Sequence, residues 1–321
     1  MAGRLSDLGE FGLIDRIDRL VVRAARGHAQ RGVRLGIGDD AAVLRARPDE
    51  DVVVSTDAAV EGVHFRWSED DPRSLGRRAF AAALSDLAAM GARPLGCTLS
   101  LAAPAELELT LLDPALAGLV AEAAKRACPL VGGNVSRARE TSFHVTVLGA
   151  VKRGCALQRC GAKPGDVLFV TGPLGRAALA RARAAASGRL NRDVPPDRMS
   201  VGRALAALVG TGVRVTCIDL SDGLAADLPH LLEAEGLGAE IEVAALPRPR
   251  RLAATCRGLG LEPESLLTGG GEDYELLFSL PADWGDAERV SRRVRAPVRA
   301  IGRVVGGGGS ARLRPGGWRH F

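Results

Sequence analysis

Two adjacent aspartates, Asp39 and Asp40, stand in the stretch GIGDDAAVL between glycines and an apolar run. Such a run reads as a strand, which usually avoids aspartate. Neighbouring carboxylates repel by roughly 4 kcal/mol at about 4 Å and an effective dielectric of about 20. The oddity recurs at Asp57 in VVVSTDAAVEGVHF, Asp86 in AAALSDLAAMG, Asp219 and Asp222 in CIDLSDGLAADL, and Glu272-Asp273 in GGGEDYELLF. Loops at strand ends are where sites are built. Aspartates drawn from several element ends, with no matching Lys or Arg close in sequence, suit an oxygen cage for hard cations. Mg²⁺ prefers a few carboxylates together with water and substrate phosphates, and several such ions would let a polyphosphate approach. No Cys or His cluster points to zinc.

Each acidic residue also has an ordinary reading. Asp86 is surrounded by Ala81, Ala82, Ala83, Leu84, Leu87, Ala88 and Ala89; buried there without a partner it would be costly, and otherwise this turn of its helix faces solvent. Ser221 or Asp222 could cap a helix starting at Gly223, which leaves Asp219 unexplained. Asp57 could be a turn residue after a strand. TGPLGRAAL (171 to 179) supplies a strand, a glycine turn and a helix N-terminus able to hold an anion, or a plain connection. Arg159 and Lys163 could pair with phosphate oxygens or be surface charges. Neither GxxxxGK[ST] nor GxGxxG occurs, so a nucleotide site must be of another kind.

The elements that would position these residues alternate irregularly. Leu8, Phe11, Ile14, Ile17 and Leu20/Val21 predict an amphipathic helix over 6–26, stopped by Gly27. Strand-like runs follow at 33–37 and 52–55, a helix from Ser74 as N-cap to Gly91, and a strand at 96–101. Asp113-Pro114 opens a helix ending near Ala127, and SFHVTVLGAVKRG reads as a long strand. The turn-rich CALQRCGAKPGD marks a domain boundary near 150–153. Beyond it come a strand (167–171), two helices (174–187 and 197–209), a strand (213–218), a helix (223–235) and a strand (239–243). EDYELLFSL, a helix near 284–294 and a strand at 298–305 close the chain. The order favours mixed α/β with antiparallel pairing over a strict βαβ series.

Composition sets the class. The 321 residues are 46% hydrophobic but only 3% aromatic, so the core must be built from Ala, Val and Leu. The net charge of +5 comes from scattered arginines, not a basic tract, so nucleic acid is not implied. The six cysteines form no CxxC pair and read as reduced, buried and non-catalytic. Charges throughout residues 1–35 exclude a signal peptide, and no apolar run reaches membrane length. A soluble, cytoplasmic protein without a membrane partner is expected.

In its motifs the chain resembles the thiamine-monophosphate kinase family. That family lies in a superfamily with aminoimidazole ribonucleotide synthetase, selenophosphate synthetase and a hydrogenase maturation factor. The matching stretches run in order from 36 to 321: GIGDDAAVL, STDAAVEGVHF, LSDLAAMGARP, GGNVSR, GAKPGD with VTGPLG, IDLSDGL, GGGEDYELLF and the closing GWRHF. VEGVHF and GGEDYEL separate the family from its relatives. The resemblance implies ATP-dependent phosphorylation of thiamine monophosphate to thiamine diphosphate. It further implies a direct, in-line transfer assisted by Mg²⁺, with the substrate phosphate as nucleophile and no phospho-enzyme.

Carried onto this sequence, the resemblance implies Mg²⁺ ligands at Asp40, Asp57, Asp86, Asp219 and Asp222, with oxygens from Ser55 and Thr56. It implies nucleotide contacts at Gly133, Ser221 and Arg159, and a thiamine side at His64, Glu272 and Trp318. A cationic thiazolium suits an aromatic face and a carboxylate. Asn134 departs from the pattern, since many members carry aspartate there; an amide offers a ligand oxygen without charge. The implied architecture is α/β with mixed sheets in two domains. Residues 1–151 would form an ATP/Mg-binding domain whose sheets pair in a homodimer, and 152–321 a C-terminal α/β domain. Two alternatives stand beside this: another ATP-dependent enzyme of the superfamily, of ligase or selenophosphate synthetase type, and a non-catalytic Mg²⁺- or nucleotide-binding protein. Selenophosphate synthetases usually carry Cys or selenocysteine in an N-terminal glycine-rich segment, and none precedes Cys97.

Overall fold

A computed structural model of the chain describes residues 3–26 and 32–307. Gly27, Trp318 and the end of the glycine run 306–309 lie outside the described residues. The chain divides into two compact units, one comprising 1–87, 94–150 and 187–194, the other 88–93, 151–186 and 195–321.

The first unit begins with α1 (Leu5–Ala25). Its buried residues are Leu13 and Ile17, whereas Phe11, expected on the apolar face, is 80% exposed. Gly9 (φ 65°, ψ 179°) interrupts the helix and shifts the phase of the stripe. A short antiparallel pair follows, β1 (Val33–Leu35) and β2 (Val43–Leu44), so GIGDDAA is the connection of a hairpin. β3 (Glu50–Val60) runs well past the expected strand end, carrying Asp57 inside it. α2 (Pro72–Ala89) starts two residues before the expected Ser74 cap. The cap is Asp71, whose Oδ2 accepts from the Ser74 N–H (2.9 Å) and hydroxyl (2.8 Å).

β4 (Arg93–Ala103) is followed by α3 (Leu109–Lys125), which places Pro114 inside the helix and not at its start. A proline there removes one backbone hydrogen bond. Burial of Leu112, Ala115, Leu116 and Leu119 on the same helix outweighs that loss. β5 (Leu130–Arg137) and β6 (Ser142–Lys152) complete a four-stranded sheet of order β3-β6-β4-β5, with β4 and β5 parallel. Strand alternation buries Leu95, Cys97, Leu99, Leu101 and Ala103 of β4 with Phe143, Val145 and Val147 of β6.

β5 falls in a stretch to which the sequence assigns no element, and paired glycines weaken a strand. Gly133 is nevertheless required: at φ 155° it meets β4 so closely that a Cβ would lie 1.9 Å from the Leu99 carbonyl oxygen. That is a packing reason for glycine independent of any ligand.

The second unit is built on an antiparallel sheet of order β8-β10-β7-β11-β9. Its elements are β7 (Val167–Thr171), α4 (Arg176–Ser187), α5 (Met199–Val209), β8 (Thr216–Asp219), α6 (Leu224–Leu232), β9 (Leu237–Ile241), α7 (Leu252–Leu259), α8 (Pro263–Gly269), β10 (Leu276–Leu280), α9 (Ala287–Val294) and β11 (Val298–Gly306). Phe169 and Phe278 are register partners and stack on one face (5.4 Å, 17°). Leu168, Val170, Ile218 and Leu277 on the other face join Leu224, Leu228 and Leu231 of α6, Cys256 of α7 and Leu267 of α8 in one core. Five of the six cysteines are buried as expected; Cys160 is exposed.

Candidate active site

In the first unit the hairpin connection leaves Asp40 exposed, while the Asp39 side chain accepts from the Asp40 N–H (2.8 Å). Asp39 thus shapes the turn. On β3, alternation puts Ser55 and Asp57 on one face and Thr56 on the other, where the Thr146 hydroxyl donates to it (3.1 Å). Thr56 therefore does not present its hydroxyl beside the Asp57 carboxylate. Asp57 accepts from the Ala58 N–H (2.7 Å). Asp86 lies half-buried in α2 among buried Ala83, Leu84 and Leu87, and the Ser55 hydroxyl donates to it (2.5 Å). The structure therefore brings Ser55, Asp57 and Asp86 onto one strand–helix junction. Asn134 and Gly133 lie exposed on β5, with Asn134 in register with Ser100.

His64 belongs to a turn after β3. Its Nδ1 accepts from the Val60 N–H (3.1 Å), which puts the ring proton on Nε2. Phe65, Trp67 and Phe143 form an edge-on cluster with centroids 5.2–6.4 Å apart that anchors this turn. In so aromatic-poor a chain, this concentration gives VEGVHF a rigid support.

In the second unit, β8 delivers buried Asp219 into the loop carrying half-buried Ser221 and Asp222. Neither caps α6, contrary to the ordinary reading of the sequence. Gly223 stands at the N-cap, and Asp227 of the first turn reaches back to accept from the Asp222 and Gly223 N–H groups, both 3.0 Å. Burial, then the Asp219 and Asp222 carboxylates, push the Asp227 carboxyl up to about 7, while the two N–H groups pull it down. Like charges so placed favour a cation. Arg159 is exposed, one residue after the Gln158–Thr216 bridge to β8.

The GGGEDYELLF segment lies along this loop. Glu272 N–H donates to the Ser221 carbonyl (2.7 Å) and Tyr274 N–H to the Leu220 carbonyl (2.8 Å). Gly271 allows the approach, since a Cβ there would lie 2.8 Å from the Ser221 oxygen. Glu272 pairs with Arg181 of α4, so a cationic ligand at Glu272 would share or displace that guanidinium. Glu275, fully buried, accepts from Arg198 Nε (2.5 Å) and Nη2 (2.8 Å) and from the Thr171 hydroxyl (2.6 Å).

The α4 N-terminus in TGPLGRAAL is already filled. The buried Asp273 carboxylate accepts from the Gly175 N–H and the Ala177 N–H (3.0 Å), so the anion held there is internal. Asp227, Asp273 and Glu275 escaped the sequence reading as structural anchors. For Asp227 a local signal existed, an acid on the Leu224–Leu228 face of the helix after SDG; Asp273 and Glu275 act across about a hundred residues.

Among the described residues no three His, Cys, Asp or Glu side chains are gathered closely enough to hold a metal ion. The oxygen-only donors Ser55, Asp57 and Asp86 in one unit and Asp219 and Asp222 in the other still fit Mg²⁺, which needs few carboxylates and completes its shell with water and phosphate. No helix among the described residues is long and apolar enough to cross a membrane.

Residues 38–151 match the family model for the AIR synthase related protein, N-terminal domain, and residues 163–313 that for its C-terminal domain. Thiamine-monophosphate kinase of Mycobacterium tuberculosis (strain ATCC 25618 / H37Rv) is 36% identical over 308 residues, covering 92% of this chain and 88% of that protein. The crystal structure of thiamine-monophosphate kinase from Stenotrophomonas maltophilia K279a superposes with a TM-score of 0.76 at 34% identity, covering 95% of this chain and 96% of that one. A structure of AaThiL complexed with AMPPCP and TMP superposes with a TM-score of 0.70 at 28% identity over the full length of both chains. The chain belongs to the thiamine-monophosphate kinase family.

Proposed function

We propose that this chain transfers the γ-phosphoryl group of ATP to the phosphate of thiamine monophosphate, releasing ADP and thiamine diphosphate. A phosphate oxygen of thiamine monophosphate attacks the γ-phosphorus as the bond to the ADP oxygen breaks, in line, with no covalent enzyme intermediate. The observation that carries this reading is the docking of GGGEDYELLF on the LSDG loop through Glu272 and Tyr274. One of the two motifs that separate this family from its relatives is thereby part of the same structure as an aspartate loop. The structure of AaThiL with AMPPCP and TMP supports the choice of both substrates.

Asp40, Ser55, Asp57 and Asp86 in the first unit, and Asp219 and Asp222 in the second, would hold Mg²⁺, with Asn134 as a lesser oxygen source and Thr56 contributing only through its backbone oxygen, since its hydroxyl lies on the opposite face of β3. When bound, the ions supply charge neutralisation and alignment of the phosphates. The chain's own contribution is positioning: Ser221, Arg159 and Gly133 would orient ATP, while His64, Glu272 and Trp318 would receive the thiamine moiety. The ring proton on His64 Nε2 suits donation to a substrate oxygen.

Residues 1–151 would then be the ATP/Mg-binding and dimerisation domain and 152–321 the C-terminal domain, a division supported by the two family matches. A homodimer through the N-terminal sheets is supported by apolar residues left exposed on β3 (Val52 57%, Val54 60%) and on the hairpin (Val43 50%, Leu35 40%). Free cysteines, five of them buried, support a reducing cytoplasmic setting.

The deciding assay uses purified protein, ATP, Mg²⁺ and thiamine monophosphate, followed for thiamine diphosphate. Formation of that product is expected. Its absence, with turnover of an aminoimidazole-type substrate instead, would transfer the protein to the superfamily's ligase branch.

A further inference from the structure

Asp273 sits between the candidate substrate residue Glu272 and the strand β10, yet it is 2% exposed and cannot meet a ligand directly. Its carboxylate spans the first turn of α4, accepting from Gly175 N–H and Ala177 N–H. Its two neighbours, Glu272 (φ 65°) and Tyr274 (φ 50°), are held in the left-handed region without being glycine. Such residues persist only where their surroundings over-determine them. Here the restraints come from two sides: the Ser221 and Leu220 carbonyls accept from Glu272 and Tyr274, and α4 grips Asp273 between them. The same helix supplies Arg181, which pairs with the Glu272 carboxylate. Helix α4 therefore holds both the backbone and the side chain of the segment.

We propose that Asp273 is a positioning residue for thiamine monophosphate: by closing the N-terminus of α4 it sets the strained 272–274 backbone that aims Glu272. The proposal rests on the assignment of Glu272 to the thiamine side. It also explains why TGPLGRAAL and GGGEDYELLF occur in one chain: the first provides the N–H groups and the second the carboxylate. A phosphate is not the anion at this helix; its place is taken.

D273N keeps the shape but points an amide N–H₂ at one of two donors. In the full chain it should raise KM for thiamine monophosphate at least tenfold and change KM for ATP less than threefold. Hydrogen exchange of the 172–180 and 270–276 segments should accelerate together in ligand-free D273N. An unchanged KM for thiamine monophosphate, or an equal rise in both KM values, overturns the proposal. If D273N does not fold, the wild-type protein decides: saturating thiamine monophosphate should slow exchange in both segments, and protection confined to 270–276 overturns the clamp. If the wild-type makes no thiamine diphosphate, the proposed function falls. The ligand-free exchange comparison then still judges whether Asp273 holds the segment.

Discussion

The Ser55 hydroxyl donates to the Asp86 carboxylate at 2.5 Å, joining β3 to the last turn of α2. The contact answers how an aspartate can stand in a helix of alanines and leucines: one of its partners is a strand hydroxyl. Hydrogen bonds to charged groups contribute about 1.5–3 kcal/mol. Ser55→Ala should therefore lower stability by about 1–2 kcal/mol in urea unfolding. It should also raise the Mg²⁺ concentration for half-maximal turnover several-fold, since Asp86 loses the donor that aims it. An unchanged Mg²⁺ requirement would remove Ser55 and Asp86 from the metal assignment.

Asp57→Asn and Asp222→Asn test the assignment more severely. The amide introduced at position 57 retains an oxygen for the Ala58 N–H that Asp57 serves, so the fold should survive. Loss of one electrostatic contact of this type costs about 100-fold or more in turnover. Thermal unfolding in EDTA should show no loss of stability, because a like charge has been removed. Wild-type turnover by either variant at low Mg²⁺ contradicts the ligand role.

The acidic positions and the two α/β halves could be read from the sequence because they are local signals: aspartate beside Gly, Ser and Thr, and alternating apolar runs. The errors share a cause in non-local packing. The ordinary reading of Asp57, a turn residue after a strand, fails because pairing with β6 extends β3 to Val60. GGNVSR carries no strand signal in the sequence, but β4 comes so close that glycine is what the strand requires at 133. TGPLG looked like an anion site, and it is one, for a carboxylate 98 residues away. Which carboxylate reaches which helix is a property of the sheet order, and no local pattern encodes it.

Glu275 and Arg198 form a pair whose partners are unequally exposed, 0% and 21%. Removing one partner from a buried pair costs about 3–5 kcal/mol because a charge is left without compensation. Arg198→Leu should approach that loss. Adding Glu275→Gln should restore much of it, as the amide oxygen can still accept from the Thr171 hydroxyl. Urea unfolding of the two variants measures the difference, and equal stability of single and double variants would show that the pair carries no such charge penalty.

Asp273 also makes a pH prediction whose sign is fixed. Burial pushes its carboxyl from 3.8 to about 6; the Ala177 and Gly175 N–H groups and Arg176 pull it down, and Glu275 pushes it up. The folded protein thus binds more protons than the unfolded chain between those values, and stability falls as pH rises through that window. The loss is full by pH 7 and comes to about 3 kcal/mol at about 1.4 kcal/mol per pH unit. Asp273→Asn removes the titration, so the stability of the wild-type relative to this variant should decline by about 2.4 kcal/mol of that amount between pH 4 and 7. Urea unfolding at four or five pH values in that range measures it. A difference that stays flat would mean the carboxylate is already ionised at pH 4, its helix N–H groups outweighing its burial.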